Sequence, residues 1–188
     1  MQKITTGLMA TLVVLTMTSC KQLKMTNEEA QTLVTQTLNL PQKFSTKVAG
    51  TGGFGDVSGE LEQAGYLTKS GSWLYGYSLS VTDMGKEFLV GTGTDAMYGT
   101  STLNFKTLDI DFGEITGVAI NKDQETATVR FTLKSTNVTP IGKMIERNVD
   151  GPKNGELIYK KFENGWQLSD NSKSGLDLVR QIVWGNQN

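Results

Sequence analysis

The chain has 188 residues, 18 Lys and Arg against 19 Asp and Glu, no histidine and a single cysteine. That length suffices for one domain or two small ones, and a balance this close to neutral argues against a nucleic-acid footprint or a polybasic membrane patch. Without histidine, Ser-His-Asp and Cys-His nucleophilic sites, most zinc sites and His-ligated haem are excluded, so any chemistry would fall to carboxylates, Lys, Tyr or Ser.

The first segment carries Lys3, then an apolar stretch from Leu8 to Met17 interrupted by threonines, then small residues before Cys20. This is the layout of a secretory signal, and its roughly ten apolar positions fall short of the ~20 needed to span a bilayer. Met17-Thr18-Ser19-Cys20 resembles the lipobox of bacterial lipoproteins. The resemblance implies removal of residues 1–19, a diacylglycerol thioether on Cys20 and acylation of the new amino terminus, which together anchor stably where one acyl chain would not. Lys21, rather than Asp, follows the cysteine, and 21–24 lack an acidic pair. By the same resemblance this implies the outer membrane and a periplasm-facing position, with the cell surface as the other possibility. A lone cysteine also leaves no intramolecular disulfide.

Residues 20–25 read as a lipidated tether. Thr26-Asn27-Glu28-Glu29 matches a capping box, and Ala30, Leu33, Val34 and Leu38 recur at helical spacing until Pro41, so a helix is expected from about Asn27 to Asn39. A strand is expected over Lys43–Ala49, then a glycine-rich stretch, Gly50 to Gly55. Leu61 to Gly65 reads as a short helix ended by glycine in a left-handed position. Trp73 to Val81 alternates as a strand or hairpin arm, and Thr82-Asp83 caps another short helix through Leu89.

Leu61-x-x-Ala64-Gly65-Tyr66-Leu67, Tyr77 to Val81 and Thr82-Asp83-Met84-Gly85-Lys86 together resemble the second half of a winged helix, covering about residues 26–90. The resemblance implies a helical core with a β-wing. DNA binding, the activity common in that family, conflicts with Glu60 and Glu62 on the helix in the recognition position and with export, so no nucleic-acid partner is expected.

Residues 91–102, rich in Gly and Thr, read as a linker or loop. Beyond it the period becomes two. Leu108, Ile110 and Phe112 share one face, Val118 and Ile120 another, and Ala127, Val129, Phe131 and Leu133 alternate with polar residues in the clearest strand. Asn164-Gly165 suggests a type I′ hairpin turn. An antiparallel meander of at least four strands is expected between about Leu103 and Leu168, interrupted near Thr139-Pro140-Ile141-Gly142. Ser174-Gly175-Leu176-Asp177 then caps a helix whose Val179, Ile182 and Val183 dock on the sheet. The expected architecture is therefore α+β: a winged-helix-like subdomain (26–90) packed with an antiparallel β subdomain and a short C-terminal helix (103–188).

Gly50-Thr-Gly52-Gly-Phe-Gly55 satisfies the dinucleotide fingerprint, but the surrounding βαβ unit and its acidic residue some 20 positions on are missing, which favours a flexible loop. Asp109, Asp111 and Glu114 could cluster for glycoside hydrolysis or calcium, against the plainer reading of a solvated strand face. Tyr75 and Tyr77 on one strand face could form a binding patch. Trp73, Tyr98, Trp166 and Trp184 are further candidates for sugar stacking or protein contact, against ordinary core packing. No metal or cofactor is expected. The expectation is a lipid-anchored, non-enzymatic envelope protein that binds or assembles with an envelope protein or glycan. The alternatives are a carboxylate-dependent polysaccharide hydrolase and a calcium- or ligand-dependent adhesin.

Overall fold

The computed structural model describes residues 23–50, 57–72, 74–96, 99–146, 150–170 and 172–185. Cys20, Thr51 to Gly55, Trp73 and Tyr98 lie outside them. In chain order the elements are α1 (Asn27–Leu38), β1 (Gln42–Ala49), α2 (Ser58–Gln63), β2 (Leu67–Ser72), β3 (Gly76–Val81), α3 (Asp83–Lys86), β4 (Leu89–Thr94), β5 (Ser101–Asn121), β6 (Thr126–Thr136), α4 (Pro140–Ile145), β7 (Lys153–Phe162), β8 (Gly165–Leu168) and α5 (Gly175–Trp184). β2 and β3 form a separate hairpin, while β1, β5, β6, β7 and β8 lie side by side in one sheet, with β4 also paired to β5.

The 21-residue strand β5 organises this sheet. Its first half pairs with both β1 and β4, and its second half with β6, all antiparallel. Along it the apolar residues Leu103, Phe105, Leu108, Ile110, Phe112, Ile115, Val118 and Ile120 are spaced by twos and threes. Each three coincides with a register shift. Phe44 opposes Leu108 while Ser45 opposes Lys106, so Thr107 is an extra residue, and two further shifts fall between Phe112 and Ile115 and between Ile115 and Gly117. Each bulge returns the next apolar residue to the same face and bends the strand, and three in one strand curl the sheet. Val118 and Ile120 therefore share the face of Leu108 and Ile110, contrary to the expectation that they would occupy another.

Two cores line that face. In the larger, Ala30, Val34 and Leu38 of α1 and Val179 and Val183 of α5 meet Leu108, Ile110, Val129, Phe131, Leu133, Leu157 and Tyr159. In the smaller, Leu61, Leu67 and Leu79 from α2 and the hairpin meet Val48, Leu103, Phe105 and Ile141. Met25 is buried in the larger core and Leu23 packs against it, so the end of the expected tether is held by the body of the protein.

The expected α+β architecture with a winged-helix-like N-terminal part does not form: the described residues are mostly β, 48% of them in strands, built on a large curled antiparallel sheet with a few short helices. The local signals behind the resemblance are real. Thr26 Oγ accepts from the Glu29 N–H and Thr82 Oγ from the Gly85 N–H. Gly65, at φ 82°, follows α2, with Tyr66 N–H donating to Leu61 O and Gly65 N–H to Glu62 O. What overrides them is partnership at long range, because β1 and β4 pair with β5 and α1 packs on the sheet rather than in a helical core. Residues 91–94 complete β4 and 101–102 begin β5, where a linker was expected.

Candidate functional site

α5 has one face committed to the sheet through Val179 and Val183, and its start is fixed by Ser174, whose Oγ accepts from the Asp177 N–H and donates to Asp177 Oδ2. Asp177, Arg180, Gln181 and Trp184, around those apolar positions, line an open cavity of about 640 Å³ together with Phe44 and Ser45 of β1 and Glu146. Such a volume lies within the ~300–1,000 Å³ of small-molecule sites.

Trp184 is held on two sides. Its Nε1–H donates to Glu146 Oε2 at 3.0 Å, and Phe44 meets it edge-on with ring centroids 4.8 Å apart at 62°. Glu146 follows α4, which is pinned to the Thr107 bulge: Thr139 N–H donates to Thr107 O at 2.8 Å, and the Thr139 hydroxyl reaches the carbonyls of Lys106 and Thr107. Burial raises the Glu146 carboxyl above its ordinary value, against the opposing effect of the indole N–H. The carboxyl is thus a fixed acceptor that orients the indole.

The electrostatics of the cavity are balanced. Lys173 and Arg180 contribute two cations, Asp177 and Glu146 two carboxylates, and among the described residues none of the four forms an ion pair within 4 Å, although Lys173 is near enough to Asp170 to help lower its carboxyl. The Lys173 ammonium is drawn along the helix to Gln181 Oε1 at 2.6 Å, which brings it to the level of Arg180.

The residues singled out from the sequence lie elsewhere. Tyr75 is 86% exposed in the turn between β2 and β3, next to Leu74 at 61%. Tyr77 is on β3, partly buried against the smaller core with the Lys69 ammonium 5.1 Å from its ring. The expected shared face of Tyr75 and Tyr77 is absent, because the chain turns between β2 and β3 where one continuous strand was read. Asp109 is buried rather than solvated: its Oδ2 accepts from Lys106 Nζ at 3.2 Å and Asn137 Nδ2 at 2.8 Å, while Oδ1 finds no partner among the described residues. Asp111 accepts from the N–H of Phe112, and Glu114 is exposed within the next bulge, between Phe112 and Ile115. None of these five lines the cavity.

Among the described residues no group of three or more His, Cys, Asp or Glu could hold a metal, and no helix is long and apolar enough to cross a membrane. Of the cavity residues, the sequence pointed only to Trp184. Glu146 carries no local signal, since its role depends on a contact 38 residues away. No family model, curated protein or solved structure matches the chain.

Proposed function

We propose that the chain is a lipid-anchored protein of the cell envelope, held by acyl chains on Cys20 at the outer membrane and facing the periplasm, that acts as a non-enzymatic binding module. One observation carries the binding reading: a cavity of about 640 Å³ that combines an oriented indole with four charged groups that form no ion pair among the described residues. Polar groups that converge on a concave, partly aromatic site are what a ligand's own polar groups complete. The hydrolase alternative loses its support, because Asp109 is engaged with Lys106 and Asn137 and the other two carboxylates lie away from the cavity.

Anchoring is tested by palmitate labelling and membrane fractionation, which the Cys20→Ala variant should lose; unchanged labelling refutes it. Protease shaving of intact cells should leave the protein intact, and its release contradicts the periplasmic placement. For the site, fractionated envelope extract should raise the melting temperature of the purified protein but not of Gln181→Trp, which fills the cavity. Equal shifts, or none with any fraction, refute the groove as the binding site.

A further inference from the structure

We infer that the groove between α5 and β1 takes a neutral oligosaccharide, with one pyranose ring lying against Trp184; this rests on the binding reading given above and names its ligand class. The charge balance decides among ligands. Among the described residues, an anion drawn to Arg180 and Lys173 would share the cavity with Asp177 and Glu146 and meet Lys173 already opposed by Asp170, and a cation drawn to the carboxylates would meet Arg180 and Lys173, so the described lining favours neither sign strongly. An apolar ligand would strip water from four charged groups that form no ion pair among the described residues, a cost its own contacts do not recover.

A sugar ring answers both constraints. Its hydroxyls donate and accept at once, matching the guanidinium of Arg180, the ammonium of Lys173, the amide of Gln181, the hydroxyl of Ser45 and the carboxylate of Asp177 without needing net charge. Its C–H face is apolar and suits a flat aromatic. The indole is held in one orientation, because Glu146 holds Nε1–H at 3.0 Å and Phe44 packs against it in a T-shaped pair. That fixing removes rotamer entropy from the cost of binding.

The test uses the mature lipidated protein in a sugar-free zwitterionic detergent, titrated with glucose, mannose and N-acetylglucosamine oligomers of one to four units. Tetragalacturonate and a neutral tripeptide serve as controls. Tryptophan fluorescence gives affinity, and saturation-transfer NMR shows which ring protons touch the protein. At least one neutral series should bind saturably, gaining about tenfold from monomer to trimer, with Arg180→Ala and Gln181→Ala each weakening it about fivefold or more at unchanged melting temperature. Trp184→Ala should abolish transfer to the C–H face. Absence of saturation at about 10 mM for all three series overturns the inference, as does tighter binding of tetragalacturonate or the tripeptide, or undiminished binding to Gln181→Trp. If extracts still shift the melting temperature of the wild type alone while every saccharide fails, the ligand class falls and the groove stands; if both fail, both readings fall.

Discussion

Gly142→Ala should destabilise the protein, although it replaces glycine by the best helix former in the middle of a helix. Propensity alone favours the alanine by about 1 kcal/mol. The structure opposes it: a Cβ at Gly142 would lie 2.2 Å from the backbone oxygen of Thr107 and 2.8 Å from its carbon. Thr107 cannot retreat, being the extra residue of a bulge between Phe105 in one core and Leu108 in the other. α4 must therefore move, straining the fully buried Ile141 and the bonds from Thr139 to Lys106 and Thr107. Overpacking of this kind costs about 1–3 kcal/mol and each weakened hydrogen bond about 0.5–1.5 kcal/mol. After subtracting the propensity gain, a net loss of about 2–4 kcal/mol is expected. Urea unfolding followed by circular dichroism and tryptophan fluorescence measures it, with an unchanged m-value as the sign that folded-state packing is responsible. Gly117→Ala, where the added carbon meets nothing within 4 Å, is the control and should change stability by less than about 0.5 kcal/mol. A Gly142→Ala protein as stable as wild type or more so would refute the docking of α4 on the bulge.

Burial holds the Tyr159 hydroxyl up to about 12, offset in part by its bond with Thr37. Because the unfolded chain gives up this proton first, stability contributed below pH ~10 should fall as pH rises from there toward about 12, and Tyr159→Phe should lose that dependence in alkaline denaturation. The Glu146 carboxyl is likewise raised by burial, so stability should decline as pH rises just above the ordinary glutamate range. Glu146→Gln should flatten that decline, and a melting temperature with the wild-type pH profile in the variant would contradict the assignment. Asp109→Ala should cost about 1–3 kcal/mol by leaving Lys106 and Asn137 without their shared acceptor, measured by the same urea titration. Leu74→Ser with Tyr75→Ser, both on exposed turn positions, should move the unfolding midpoint by no more than about 0.5 kcal/mol equivalent.

Much of the local structure was legible in the chain. The caps at Thr26, Thr82 and Ser174, the glycine after α2, the alternation of β6 and the amphipathic face of α5 all formed, because each depends on residues within one or two turns of each other. The hairpin at Asn164-Gly165 formed too, with one adjustment. Phe162 pairs with Gly165, so the turn residues are Glu163 and Asn164, neither of which takes the positive φ of a type I′ turn; Gly165, the strand residue that follows, has φ 126°.

What the tertiary structure decided was which element meets which. The threes in the apolar spacing of β5 read as changes of face, and only pairing with β1 and β6 turned them into bulges that keep a single face and curl the sheet. That curl set two cores side by side, buried Asp109 where a solvated strand face was expected, and drew β1 and β4 out of a supposed N-terminal subdomain into one sheet. The groove has the same origin: Phe44, Glu146 and Trp184 lie far apart along the chain and meet only because α4 is pinned to a bulge and α5 crosses the sheet. Capping and periodicity act over a few residues and are written locally, whereas a site assembled from three distant elements exists only once long-range pairing has closed the loops between them.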